Sequence, residues 1–528
     1  MYIDLVVVVV YLVAVTIFGL WVGRNSGKDK ESYFLGGKSF GWVLIGFSLF
    51  ATNISIGPFV GGSGLAGKAG LAQINPELLG GLMLSVSALI FIPLFIKSSI
   101  YTIPQFLELR FNKTSKLLFG GLFACQFVFS MPLAMYTGSI AILELFEFPV
   151  TEENIRWVSL LIVLTVGSYS VIGGLKAVVV TDFVQVVIML VGGFAVFGVG
   201  LYKIGGFSGL YEAAGAKQFE LLRPSDDEYF PWTAVIPGQM LHSAFFAFCS
   251  IQILQRALGA KNINSAQNGL LLGGFLKMLG IFLFTLPGII GAQLYPEVAS
   301  DSLYATMIRE FLPVGLSGLV LAGMLAALMS SQDSGINAMS AVVALDVWPV
   351  FRKNATEKEA VMVGKLFAGS VLVWGILAAP FFKDFPEGIY SMILKIAGYM
   401  ILPTGVCYLV GRYVRRVNGA GAVVTLGIGL VLNVYYVMAS TIPELRFLLP
   451  DWMANLHFYE LYPFMVIFLT VILVGVSLLT PPPEPEKLVC LEKPRAEIDT
   501  GAPTPWYRRF HFWWMVYLVA FVSLYIVF

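Results

Sequence analysis

Long apolar runs follow one another along almost the whole chain, and that pattern dictates the solvent it must fold in. A helix that crosses a bilayer needs about 20 mostly apolar residues, because each adds about 1.5 Å across a hydrocarbon core about 30 Å thick. Fourteen runs are candidates. The first seven lie at 5–22, 42–60, 71–96, 117–146, 158–171, 177–201 and 234–253. The others lie at 269–292, 312–342, 361–381, 389–410, 422–438, 464–479 and 512–528. The expected fold is therefore an all-α membrane protein of about fourteen transmembrane helices.

Composition agrees. Of 528 residues, 58% are hydrophobic and 12% charged, about half the charge of a soluble domain. Lipid as the outer solvent accounts for that excess; a soluble core does not. A net charge of +1 makes nucleic acid an implausible partner. Cys125, Cys249 and Cys407 lie in apolar runs and Cys490 in a polar stretch, with no disulfide framework or metal site. His242, His457 and His511 form no ligand cluster. The first run has Asp4 before it instead of a basic segment, and Arg24 and Lys28 after it. This order reads as a retained helix with its N-terminus outside, not a cleaved signal.

The fourteen-span reading can be tested by loop charge. With the N-terminus outside, 23 Lys and Arg residues fall in inside loops and 8 in outside loops. That obeys the positive-inside rule, and adding or losing one span would scramble it. Both termini are then extracytoplasmic, in the inner or plasma membrane. The stretch 481–506 begins Pro-Pro-Pro-Glu-Pro and is of mixed charge, which reads as a flexible cytoplasmic linker to the last helix.

Glu77, Asp182, Lys277, Asp333 and Lys395 stand out among the ionisable residues within the spans. Such groups are costly in a membrane and usually face a cavity. Lys277 and Asp182 have a plainer alternative, snorkelling from helix ends. For Glu77 it is helix capping at Asn75-Pro76-Glu77, and for Lys395 a structural ion pair.

Two spans carry cation chemistry. The second contains Ala51-Thr52-Asn53-Ile54-Ser55-Ile56-Gly57-Pro58 and then Gly61-Gly62-Ser63-Gly64. Glycine and proline there break a helix and free backbone carbonyls that can bind a cation at mid-depth. The plain alternative is a simple kink. The ninth span places Ala327, Ser330, Ser331 and Ser334 on one helical face. Their hydroxyls and carbonyls are hard donors for an alkali cation; the alternative is a small-residue packing face. Asp333 argues against packing alone, which needs no carboxylate. The G-x4-G-K match from Gly62 to Lys68 is rejected as a phosphate loop, because Ala69 follows and a membrane helix precedes it. Asn112-Lys-Thr and Asn354-Ala-Thr are formal glycosylation motifs on the cytoplasmic side.

The chain resembles the sodium/solute symporter family, most of all its sodium/glucose cotransporter branch. The resemblance rests on Ala51–Ser55 with Phe59-Val60-Gly61, Ile100-Tyr-Thr-Ile-Pro104 with Arg110-Phe-Asn112, and Gly173-Gly-Leu-Lys-Ala-Val178 with Thr181-Asp182. Gln255-Arg256, Phe275-Leu-Lys277, Leu328-Met-Ser-Ser331 and Pro403 follow in family order. The resemblance implies a LeuT-type five-plus-five inverted repeat, here spans two to six and seven to eleven. The implied division is a first helix and loop over 1–39, a transport core over 40–416, two peripheral helices over 417–480, a linker over 481–511 and a terminal helix over 512–528. It also implies a break in span seven, although His242–Gln252 holds no glycine or proline.

Carried over position by position, the resemblance implies a sodium site at Ala51, Ile54, Ala327, Ser330 and Ser331. A second cation would be held by Asp182, Ser330, Asp333 and Ser334, with Asp333 standing where the family has a hydroxyl. Two carboxylates in one cavity need an offset: a cation, a proton or a lysine. No lysine is expected nearby, which favours a cation or proton. The implied solute positions are Pro58, Glu77, Ser243, Phe246, Lys277 and Lys395. Glu77 and Lys277 match the sugar branch. Pro58 replaces a Gln or His, Ser243 an Asn and Lys395 a Gln; Phe246 takes the place of an aromatic inner gate.

The expected function is sodium-coupled import of a small polar solute, a sugar or sugar-like polyol, by alternating access. No cofactor is expected beyond the coupling ion; the partners are solute, sodium and lipid. The runner-up is a small organic anion, such as a sugar acid or monocarboxylate, held by Lys395. Proton coupling through Asp182 and Asp333 is a further option. A channel would show a repeated filter or subunit symmetry, and an enzyme a clustered His, Cys or Ser; neither is present in the sequence.

Overall fold

The computed structural model describes residues 2–24, 30–98, 102–352, 354–383, 389–491, 505–506 and 509–528. Lys28, Ile100-Tyr101, Lys353, Lys493, Arg495, Arg508 and residues 492–504 of the linker lie outside the described residues.

Hydropathy and helix signals act together here, and the described residues form helices with no strand beyond isolated bridges. In chain order they are α1 (Tyr2–Gly23), α2 (Trp42–Asn53), α3 (Ser63–Ala69), α4 (Asn75–Val86) and α5 (Lys113–Leu145). Next come α6 (Glu152–Lys203), α7 (Trp232–Cys249), α8 (Ile251–Leu258), α9 (Ile263–Leu294) and α10 (Leu316–Phe351). The last are α11 (Glu357–Phe382), α12 (Ile389–Tyr413), α13 (Gly419–Thr441), α14 (Phe458–Leu479) and α15 (Phe510–Val527). Asn112, Thr151, Asn262, Thr356 and Asn418 cap α5, α6, α9, α11 and α13, each side chain accepting from a first-turn N–H. The formal glycosylation residue Asn112 is thus a helix cap.

Among the described residues, eleven helices are long and apolar enough to cross a membrane, or twelve with the bent pair α7–α8. The number differs from fourteen because backbone continuity does not follow hydropathy. α2 is only 12 residues long. A π turn at Pro58–Gly62 leads into α3, and a 3-10 turn at Gly70–Ile74 joins that to α4. α6 runs 52 residues, about 78 Å at helical rise, more than twice the bilayer core. Its direction changes at Gly174, which takes φ 60° and ψ −164°. A Cβ there would stand 2.6 Å from the Tyr33 carbonyl, so this left-handed position needs glycine.

Two helices are broken. α2 ends where Ile54 turns extended (φ −97°, ψ 96°), just before Pro58. α7 and α8 meet at 44°, with Ser250 extended between them (φ −71°, ψ 123°). The break expected in span seven is therefore present, with neither glycine nor proline at the joint. The Ala247 carbonyl at the broken end instead accepts from Ser87 Oγ at 3.2 Å.

Packing gathers around α10, which lies against α6, while α2 lies against α9 and α1 against α6. Small residues let the backbones approach: a Cβ at Gly46 would meet Leu272 at 2.6 Å, and one at Gly269 would meet Ile45 at 2.5 Å. Apolar side chains such as Val6, Val10, Ile17, Leu164, Val471 and Val522 are exposed on the outside of the bundle, where lipid covers them. The buried guanidinium of Arg110 donates to the carbonyls of Gly411, Val414, Arg415 and Val417 at 2.8–3.2 Å and ties the start of α5 to the end of α12. The linker does not leave the bundle at once. A 3-10 turn over Pro485–Leu491 packs back, with Lys487 Nζ donating to the Glu108 carbonyl at 3.2 Å and Arg412 to that of Cys490 at 3.2 Å.

Candidate functional site

The break in α2 has a local chemical cause. Pro58 carries no N–H, so the Ile54 carbonyl lacks its helical donor four residues on. Ile54 is fully buried there. The neighbouring Ala51 carbonyl points at α10 and accepts from Ser330 Oγ at 2.7 Å. Ser330 Oγ is also 3.2 Å from the Ala327 carbonyl, and Ser331 Oγ lies 3.0 Å from the carbonyls of Ala327 and Leu328. Ser330 thus joins the Ala51 carbonyl across the α2–α10 contact, while the Ser330 and Ser331 hydroxyls also meet the Ala327 carbonyl within α10. Ile54 stands at the end of the same break.

Directly beside this set lies a charge cluster that sequence reasoning placed only in part. Asp182 on α6 and Asp333 on α10 are both fully buried. Arg256 of α8, also fully buried, places Nη2 3.3 Å from Asp182 Oδ2 and donates through Nε to Ser48 Oγ at 2.6 Å. Its Nη2 also meets Ser334 Oγ, and the Ser48 hydroxyl donates to Asp182. Tyr169 donates to Asp333 Oδ2 at 2.7 Å, and Ser334 Oγ lies 3.2 Å from Asp333 Oδ1. Thr52 Oγ1 joins Ser334 Oγ at 2.9 Å, which links this cluster to the broken helix.

Two sequence expectations need correction here. Arg256 is one of the 23 cations assigned above to inside loops, yet it is fully buried beside Asp182. The offset sought for the carboxylates included a lysine but not this arginine. Asp182 and Lys277 do not snorkel: they are 0% and 5% exposed, held by tertiary partners instead of reaching water. Ser48, Thr52, Tyr169 and Arg256 were missed as site residues. The quoted Gln255-Arg256 motif was the available signal for one of them.

On the opposite flank of α2, Glu77 in the first turn of α4 forms a buried ion pair with Lys277 of α9. Glu77 thus sits in the first turn of the helix and also meets the lysine. Pro58 is buried at the start of the π turn. Ser243 on α7 accepts from Gln239 Nε2 at 3.1 Å. Phe246, one turn further, is half-buried with its ring 6.4 Å from that of His242. Lys395 is buried on α12. His457 caps α14, its Nδ1 accepting from the Tyr459 N–H at 3.2 Å. Burial pushes His457 down to about 4, and the Lys395 charge lowers it further against the opposing pull of Glu460.

With this geometry in hand, comparison adds relatives. A family model described as the sodium:solute symporter family matches residues 33–429. The sodium/myo-inositol cotransporter of Mus musculus is 30% identical over 541 residues, covering 92% of this chain and 74% of its own. Sodium/myo-inositol cotransporter 2 of Oryctolagus cuniculus is 31% identical, covering 92% and 78%. Sodium/glucose cotransporter 4 of Mus musculus is 32% identical, covering 82% and 68%. Among solved structures, a sodium-coupled sialic acid symporter superposes with a TM-score of 0.77 at 22% identity, covering 91% of this chain and 99% of that one.

Proposed function

The chain belongs to the sodium:solute symporter family, and from that premise we propose that it carries an uncharged sugar or sugar-like polyol inward with sodium. It is a multi-pass membrane transporter, not an enzyme. The observation that carries the solute class is the buried Glu77–Lys277 pair. Its charges cancel within the implied solute positions, leaving donors and acceptors without net charge, as a polyhydroxylated molecule needs. The chain's similarity to cotransporters of myo-inositol and glucose supports the same class.

In this reading sodium is held by Ala51, Ile54, Ala327, Ser330 and Ser331, and so joins the broken α2 to α10. That junction orders the solute site beside it. Each charge carried inward gains about 2.3 kcal/mol per 100 mV, which drives accumulation. A second sodium is held by Asp182, Ser330, Asp333 and Ser334. Two carboxylates and one guanidinium leave that cluster one charge short of neutral, so one monovalent cation completes it. Arg256 competes with that cation for Asp182 and Ser334.

Fourteen crossings follow if α2 with its continuation to Ala69 counts as one, the bent pair α7–α8 as one, and α6 as two divided at Gly174. The core over 40–416 is an inverted repeat whose two broken members are α2–α3 and α7–α8. α1 precedes it; the pair over 417–480, the linker over 481–511 and the terminal helix over 512–528 follow. Both termini are extracytoplasmic, which leaves the basic loops in the cytoplasm.

A second reading, a small organic anion, is favoured by the buried Lys395. Uptake into proteoliposomes separates the two, with labelled myo-inositol, glucose, a sugar acid and a monocarboxylate each offered with sodium or choline. Sodium-dependent accumulation of a neutral polyol supports the first reading; accumulation of acids alone overturns it. Ser331→Ala should reduce uptake steeply at limiting sodium while the protein still reaches the membrane. Unchanged sodium activation would remove the assignment of the first ion site.

A further inference from the structure

Buried polar atoms are nearly always paired, and an unpaired one costs about 1–3 kcal/mol. Five side chains near the Glu77–Lys277 pair break this rule together. Gln73 Nε2, Gln239 Oε1, His242 Nε2 and the hydroxyls of Tyr390 and Tyr459 are buried with no hydrogen-bond partner. Their residues are 0%, 1%, 7%, 3% and 1% exposed, so bulk solvent does not reach them.

They come from four separate parts of the chain. Gln73 lies in the turn before α4, Gln239 and His242 on α7, Tyr390 at the start of α12 and Tyr459 at the start of α14. Those four helices begin at the same end of the bundle in the fourteen-crossing reading. Tyr390 lies against Gln73, and Tyr459 against Gln239, and both tyrosines also feel the charge of Glu77. The His242 ring packs on Tyr459 with centroids 5.7 Å apart.

The free valences have a definite pattern. Gln239 Nε2 lies 3.4 Å from His242 Nδ1 and 3.1 Å from Ser243 Oγ, so its two hydrogens are engaged and its carbonyl oxygen is left as an acceptor. With Nδ1 accepting, the His242 proton sits on Nε2 and that atom donates. Thr285 donates to Gln73 Oε1 at 2.9 Å, which fixes the amide and leaves Nε2 as a donor. The tyrosine hydroxyls do either. The set therefore offers donors, an acceptor and two groups of mixed character, with no net charge. A carboxylate ligand would be repelled by the Gln239 oxygen. Neighbouring hydroxyl groups, each both donor and acceptor, satisfy all five.

We infer that Gln73, Gln239, His242, Tyr390 and Tyr459 read the hydroxyl groups of the solute and so determine which polyol is accepted; this rests on the polyol reading above. None of the five belongs to the solute positions implied by family resemblance.

The test uses purified full-length protein in proteoliposomes, with sodium-driven uptake of labelled myo-inositol and glucose and competition by their mono-deoxy analogues. Tyr390→Phe and Tyr459→Phe each remove one oxygen without changing shape. Each should raise KM for the preferred polyol about three- to tenfold, the worth of one hydrogen bond, while sodium activation stays as in the wild type. One deoxy analogue, lacking the hydroxyl that the tyrosine reads, should compete equally well against wild type and variant. Unchanged KM in both variants, or equal weakening of every analogue, overturns the inference while leaving the polyol reading intact. A wild type that carries no neutral polyol overturns the reading itself, and the inference with it. Retained thermal stabilisation by sodium shows that a variant is folded.

Discussion

Replacing Arg256 by methionine removes one positive charge and little volume, and the structure fixes what that does. The guanidinium is fully buried and holds Asp182, Ser48, Ser334 and the Gln252 carbonyl. Without it, Asp182 and Asp333 face each other with no fixed counter-charge. Breaking a buried pair from one side costs about 3–5 kcal/mol. Sodium at about 100 times its Kd returns about 2.7 kcal/mol to any state that binds it. Arg256→Met should therefore be strongly destabilised in choline chloride and recover more than half of the loss in saturating sodium. The wild type, in which Arg256 competes with the second cation, should gain less from the same exchange. Thermal unfolding of the detergent-purified protein across a sodium titration measures this. Asp182→Asn in the same background should restore stability in choline, because the uncompensated carboxylate is gone, and the two changes should be clearly non-additive. An Arg256→Met protein as stable as wild type in choline would refute the reasoning, as would one whose loss sodium does not relieve.

Three further outcomes are expected. Lys395→Gln should leave or improve polyol uptake in the proteoliposome assay if the solute is neutral, and should abolish uptake if it is an acid. Gly174→Ala should sharply reduce folded yield by size-exclusion chromatography, since alanine is strained at φ 60° and its Cβ would press within 2.6 Å of the Tyr33 carbonyl. His457 is held down to about 4 from 6.5, so at neutral pH it is uncharged in both folded and unfolded chains. As pH falls through 6.5 the unfolded chain protonates first, and stability should decline towards pH 4. His457→Gln should flatten that part of the pH–stability profile.

What was legible followed from local chemistry. Gly57-Pro58 announces the break in α2 because proline removes a specific N–H, and that consequence is covalent. The hydroxyl face of Ala327, Ser330 and Ser331 follows from helical spacing alone. Arg256 was unreadable for the opposite reason. In sequence, a charge after an apolar run defaults to a loop, and only the bend at Ser250 brings it back to Asp182, 74 positions away. Glu77 and Lys277 are separated by 200 positions, so their pairing is tertiary information. The free valences of Gln73, Tyr390 and Tyr459 are of the same kind, since nothing in an isolated tyrosine tells whether its hydroxyl will find a partner. The span count diverged because hydropathy windows see the polar interval at Lys176, whereas the backbone winds through it with one left-handed glycine.

The two broken helices are not mechanically equivalent. In α2 the interruption is covalent in origin, because Pro58 has no N–H to offer the Ile54 carbonyl. At Ser250 one backbone rotation separates α7 from α8. The bonds on either side survive, from the Ser250 N–H to the Phe246 carbonyl at 3.0 Å and from the Leu254 N–H to the Ser250 carbonyl at 3.1 Å. Only the Ser87 hydroxyl on the Ala247 carbonyl occupies the gap. Such a joint can close without breaking a chemical rule, and closing it would swing Arg256 relative to Asp182. The first interruption is written into the covalent structure, and the second rests on one backbone conformation.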